Sequence, residues 1–138
     1  MIRHGLRYLL AAFYAYAGYA HIASPEPFLT IMPEWVPAQE AVVFWTGVAE
    51  LLGAVALAQP WSIPLRKAGA IGLAAYAVCV FPANINHFAM DMAREAAGEA
   101  GSLGLGYHVP RMIAQPLLVW LALWTGGVTN WPLRRRAG

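Results

Sequence analysis

Four runs of roughly twenty mostly apolar residues dominate this chain, each long enough to cross the hydrocarbon core of a bilayer as a helix. They are Gly5–Ala23, Ala41–Ala58, Ala68–Met90 and Val109–Gly127. No run alternates apolar and polar residues as a lipid-facing barrel strand must, so the runs read as helices. The charge content agrees. Of 138 residues, 59% are hydrophobic and only 12% are charged, about half the charged share of an ordinary soluble domain. The expected architecture is all-α: one domain over residues 1–138, built as an integral membrane four-helix bundle.

Several classes fall away. The apolar content excludes a disordered chain, and a net charge of +2 with no basic stripe along a helix excludes a nucleic-acid binder. The single cysteine, Cys79, excludes a disulfide framework, a CxxC redox pair and a cysteine-based zinc site. It reads as a small buried apolar residue.

The connections are short and punctuated. Ser24–Glu40 carries Pro25, Pro27, Pro33 and Pro37. Between them lie Phe28, Leu29, Ile31, Met32, Trp35 and Val36, too apolar for a free loop. Such a segment lies in the membrane interface or folds back over the bundle as a lid. Gln59–Lys67 holds Pro60 and Pro64, and Asp91–His108 reads as a glycine-rich loop.

Seven of the nine basic residues (Arg3, Arg7, Arg66, Lys67, Arg134, Arg135 and Arg136) share one side of a four-span arrangement. The positive-inside rule places both termini in the cytoplasm of a multi-pass inner-membrane protein. Trp61 and Trp131 then mark the inner interface and Trp35 the outer one. Arg134–Arg136 reads as an anchor or a contact for anionic lipid. Arg3 and Arg7, the apolar run and Ala15-Tyr16-Ala17 also resemble a signal peptide. A retained span is the preferred reading, because the run is tyrosine-rich and ends in His21.

Polar side chains inside a span are costly and tend to face protein or water. Here they gather at one depth, central or outward: His21, Glu50, Asn84, Asn86, His87, Arg111 and Gln115. The inner half shows no equivalent. Gly47, Glu50 and Ala54 share a helix face, a small-residue strip that lets a neighbour approach. Asn84 and His87 share a face at i, i+3, and Arg111 and Gln115 at i, i+4. With Pro110 at the first helical position, Arg111 falls in the first turn, where it needs an acid. Glu50 and Asp91 are the candidates, with Glu50 rather deep. His21, His87 and Glu50 have neither HxxxH nor ExxH spacing, so no metal is expected.

The segments Gly18-Tyr-Ala-His21, Met32-Pro33-Glu-Trp35-Val36-Pro37, Gly47-Val-Ala-Glu50-Leu-Leu-Gly53, Phe81-Pro82-Ala-Asn84-Ile-Asn86 and Pro110-Arg111 with Gln115-Pro116 together resemble DoxX-like membrane proteins. The resemblance implies a four-helix membrane bundle with Glu50, Asn84, Arg111 and Gln115 at repeated positions. It also implies kinship with subunits of quinone-linked oxidoreductases.

The expected function is therefore quinone or small-lipophile binding within a membrane redox system. Arg111, Asn84, Gln115, His21 and Trp35 would hold the ligand. Glu50 and His87 would move protons, since burial raises a carboxyl group toward the working range. No flavin, haem or iron–sulfur motif is visible, so electrons would come from a redox partner protein. Two alternatives stay open. One is a scaffold whose polar cluster only sets bundle geometry. The other is a small transporter, which the bare inner half and the four short spans disfavour unless copies pair as a homo-oligomer.

Overall fold

Apolar runs punctuated by proline and glycine become helices whose ends fall where those residues interrupt the backbone ladder. A computed structural model describes residues 1–132. Arg134, Arg135 and Arg136, read above as an anchor, lie outside the described residues. The elements are α1 (Ile2–Ala23), α2 (Glu26–Thr30), α3 (Gln39–Ala58), α4 (Ile63–Cys79), α5 (Phe81–Ala96) and α6 (Gly104–Gly126). The described residues are thus all-α, with five long helices and one short one. Two segments, Gln39–Ala58 and Ile63–Ala96, are long and apolar enough to cross a membrane.

Helix α1 packs along α3, α3 along α4 and α4 along α6, and α6 closes back on α1. The core between them comprises Leu10, Ala11 and Tyr14 of α1, Ala54 and Leu57 of α3, Ala70, Leu73 and Ala74 of α4, and Ala122 of α6. So many alanines bring the helix axes close, and dispersion between the backbones then contributes much of the packing.

The third apolar run is two helices. Val80 ends α4, its N–H bonded to Tyr76 O, and also precedes α5. Pro82 stands in the first turn of α5. It lacks an N–H, and its ring crowds the carbonyl four residues back, so the chain changes course there. Helix α5 continues past Met90 to Ala96, and the expected loop Asp91–His108 shrinks to residues 97–103.

Helix α6 starts at Gly104, well before Pro110, so Arg111 is not in a first turn. The reason is tertiary. The N–H of Leu103, an orphan at the start of α6, donates to Asp91 Oδ2 at 3.2 Å. A carboxylate from another helix does the work of a local cap.

The proline-rich segment folds back over the bundle. Phe28 stacks on His21 with ring centroids 3.8 Å apart. Asn86 Nδ2 donates to Ile31 O at 3.0 Å, and Gln39 Nε2 donates to Pro33 O at 3.1 Å. At the other end Gln59 closes the α3–α4 turn, accepting Ser62 N–H and donating to Ala56 O and Ser62 O.

The small-residue strip of α3 meets α1. Gly47, Glu50 and Ala54 are all buried. A Cβ on Gly18 would lie 2.6 Å from Gly47 O, and one on Gly47 would lie 2.8 Å from His21 Cβ. No side chain fits this crossing without moving a backbone.

Gly47→Val is expected to lower thermal stability, since overpacking of this kind costs roughly 1–3 kcal/mol. At Gly72 an added Cβ meets nothing within 4 Å, so Gly72→Ala is expected to raise stability by up to about 1 kcal/mol. Melting curves of both variants in one detergent check the pair. Equal effects would show that the α1–α3 approach is not tight.

Candidate functional site

The polar residues expected at one depth converge where α1, α3, α4, α5 and α6 meet. Asn84 near the start of α5 and Arg111 in α6 bond directly, Arg111 Nη2 donating to Asn84 Oδ1. Asn84 Nδ2 donates to Gln115 Oε1 at 3.2 Å, and Gln115 Nε2 donates to Ala77 O at 2.6 Å. Arg111 Nη1 lies 2.9 Å from His87 Nδ1. A guanidinium only donates, so Nδ1 accepts and the imidazole hydrogen sits on Nε2. The Arg111 guanidinium also lies 5.0 Å from the ring centroid of Tyr107, within cation–π range.

Arg111 does not pair with Glu50. Among the described residues no carboxylate lies within ion-pair distance of Arg111. Glu50 pairs instead with His21, with Oε2 2.7 Å from Nδ1. That nitrogen also lies 2.9 Å from Ala17 O. Two oxygens facing one ring nitrogen place a hydrogen on Nδ1, which goes to Ala17 O, while Glu50 Oε2 is buried without a hydrogen bond among the described residues. Glu50 is only 2% exposed, so the pair lies deep between α1 and α3, beside the Gly18–Gly47 crossing.

Two cavities flank this arrangement. The first, about 360 Å³, is mostly apolar and lies under the proline-rich segment. His21, Phe28, Met32, Trp35, Tyr76, Asn84 and Arg111 are among its lining residues. The second, about 430 Å³, is lined by Glu50, Tyr14, Tyr76, Tyr107, Asn84, Arg111 and Gln115 with apolar neighbours. Tyr76, Val80, Asn84 and Arg111 belong to both walls. Six of the seven expected site residues therefore line one cavity or the other. His87 lines neither and stands behind Arg111. Trp35 is 73% exposed and forms the rim of the first cavity. Cys79, expected to be buried, is exposed and lines the same cavity.

A second polar centre lies behind His87. Asp91, 1% exposed, accepts from His108 Nε2 at 2.9 Å, from Leu103 N–H at 3.2 Å and from Arg94 Nη1 at 3.1 Å. His87 Nε2 lies 3.5 Å away. His108, fully buried, is the residue that the sequence reading missed, because it was placed at the end of a loop. The i, i+4 spacing of His87 and Asp91 was the available signal, and its partner is remote in sequence.

The ligand atoms of His87, Asp91 and His108 lie within 4.8 Å of one another. Two histidines and a carboxylate form a donor set suited to transition metals. The surrounding hydrogen bonds point elsewhere. A metal-bound histidine donates its other N–H outward, whereas His87 accepts a hydrogen bond at Nδ1 and carries its hydrogen on the nitrogen that would ligate. The cluster works as a lock that fastens α5 to the start of α6.

Asp91→Ala is expected to leave three donors without an acceptor, a loss of about 3–5 kcal/mol for a buried charged network. Hydrogen exchange over residues 97–108 checks it. Faster exchange confined to this region is the expected outcome, and unchanged protection would show that the lock carries no stability.

The end of the bundle away from the cavities, where the sequence led us to expect no polar groups, is not bare of them. Arg7, Gln59 and Thr125 are buried there, at the level where α1 meets α6 and where α3 turns into α4.

The expected kinship with DoxX-like proteins is overturned. The family model that matches the chain is a different one, and it spans residues 10–126. The segments behind the resemblance combine glycine, alanine, proline and isolated polar residues, which closely packed apolar helices use in general. No curated protein and no solved structure matches the chain. The protein belongs to the family described as a domain of unknown function, DUF8561.

Proposed function

We propose that this is a multi-pass inner-membrane protein that binds a small lipophile with an oxygen-bearing head group, quinone being the class that fits, as part of a membrane redox system. In this reading α1, α3, α4 and α6 cross the bilayer as a four-helix bundle with both termini in the cytoplasm. Large apolar side chains on the outside of these helices support it, among them Leu9, Phe13, Leu52, Val55, Ile71 and Leu117. Apolar surface of this extent marks a contact with membrane or protein. The exposed Trp61 and Trp131 at one end and Trp35 at the other suit the two aromatic belts.

One observation carries the ligand reading. Arg111 presents a guanidinium with no carboxylate partner among the described residues, at the wall shared by two adjoining cavities. Asn84 and His87 fix its orientation. A carbonyl oxygen is the acceptor such a donor lacks, and charge-assisted bonds of this kind are the strong ones. The cavity volumes fall in the range of small-molecule sites, which are mostly apolar with a few convergent polar groups. Phe28, Met32 and Trp35 would cover the ring.

Reduction of a quinone takes two electrons and two protons. The electrons would come from a partner protein. Glu50 and His21 line the second and first cavities respectively and are the groups placed to hand on protons. His87 acts as a positioning residue through Arg111. The scaffold reading applies to the Asp91 lock, whose carboxylate takes its donors from His108, Leu103 and Arg94.

Titrating the purified protein with decylubiquinone and following Trp35 fluorescence tests the site. Arg111→Leu is expected to weaken binding by about ten- to a hundredfold, the worth of a hydrogen bond to a charged group. Glu50→Gln is expected to retain binding and to slow quinol formation in membranes that contain the electron donor. Unchanged affinity in folded Arg111→Leu would refute the assignment.

A further inference from the structure

We infer that the end of the bundle opposite the cavities holds a phosphate group, in a pocket formed where α1 and α4 begin and α6 ends. The pocket encloses about 200 Å³ and is lined by Arg3, His4, Arg7, Arg66, Lys67 and Asn130 among others, with no carboxylate among the described residues. This site is independent of the cavities described above, so its fate does not depend on theirs.

Three observations carry it. First, Arg7 is only 4% exposed, and its Nε, sealed from solvent, has no hydrogen-bond partner. Its Nη2 donates to Tyr8 OH at 3.0 Å, and its guanidinium lies 4.8 Å from the Tyr8 ring centroid. Neither contact neutralises the charge, and a buried charge without a counter-charge is costly.

Second, the basic residues stand where the helix dipole opposes them. Arg3, His4 and Arg7 occupy the first two turns of α1, and Arg66 and Lys67 those of α4. Neither helix has an acid in its first turn. Helix N-termini favour anions, so two N-termini and their arginines ask for the same ligand. Third, the backbone supplies only part of the compensation. Arg66 Nε donates to Gly126 O at 3.3 Å, and Arg3 donates to Asn130 Oδ1 and Thr129 O, all beyond or at the end of α6. The carbonyl contact of Arg66 orients its guanidinium and brings no negative charge to it.

A tetrahedral oxyanion with several acceptor oxygens matches this set of forked donors. The phosphate belongs either to an anionic lipid headgroup or to a soluble phosphomonoester.

Native mass spectrometry of the detergent-solubilised protein, with phosphatidylglycerol and phosphatidylcholine as probes, is run beside thermal melts with added glycerol 3-phosphate. The variants are Arg7→Gln and Lys67→Ala. Lys67 is exposed, so its replacement keeps the fold even where loss of Arg7 does not. Retention of one phosphatidylglycerol in preference to phosphatidylcholine, weakened about tenfold in Lys67→Ala, supports the site and assigns it to a headgroup. A rise in melting temperature with glycerol 3-phosphate, absent in Lys67→Ala and without lipid selectivity, supports the site and assigns it to a soluble phosphate. Equal retention by wild type and variants, or no response to either probe, overturns the proposal.

Discussion

A guanidinium withdrawn from water must be given hydrogen-bond acceptors, and Arg111 takes them from α5. Its bonds to Asn84 Oδ1 and His87 Nδ1 join the two helices that proline and glycine had left free to separate. Asn84 in turn bonds to Gln115, and Gln115 to the backbone of α4. One charge thus organises a chain of hydrogen bonds across three helices. Because amides and an imidazole supply the acceptors, the positive charge itself is left uncompensated at the cavity wall. Under the proposed function the side chain that joins the helices is also the one that would hold the ligand.

The polar interior divides into parts with different degrees of satisfaction. Around Asp91 the donors of His108, Leu103 and Arg94 find the carboxylate, so this part fastens α5 to the start of α6, although His108 Nδ1 is buried without a partner among the described residues. Around Glu50 and His21 the partners are fewer, and Glu50 Oε2 is buried without a hydrogen bond among the described residues. Incomplete satisfaction beside an apolar cavity is what a ligand site requires, because the ligand completes it. At the opposite end, Arg7 repeats the pattern with a cation and a smaller, more polar pocket.

Close backbone approach holds these parts in register. The Gly18–Gly47 crossing brings α1 within reach of α3 one turn from the His21–Glu50 pair. Alanines dominate the core between α3 and α4. A core of small residues has little freedom to repack, so a shift of α1 would carry His21 away from both Glu50 and Phe28.

Much of this was legible in the sequence. Helical periodicity and the lack of alternation established the all-α class, and the depth of Glu50, Asn84, Arg111 and Gln115 marked the residues that line the cavities. The burial of Gly47, Glu50 and Ala54 followed from their spacing, and the folded-back proline-rich segment followed from its apolar content. These are local properties, set by backbone geometry and by the cost of exposing or burying each side chain. What only the tertiary structure decided is who partners whom. Pairing His21 with Glu50, passing Arg111 to His87 rather than to an acid, and capping α6 with Asp91 from α5 all depend on distances across helices. The start of α6 at Gly104 and the break at Val80 belong with them, because a remote carboxylate supplied one cap and packing chose how Pro82 was accommodated. A one-dimensional pattern shows which groups need a partner, whereas the packing of the backbones determines which partner is within 3 Å.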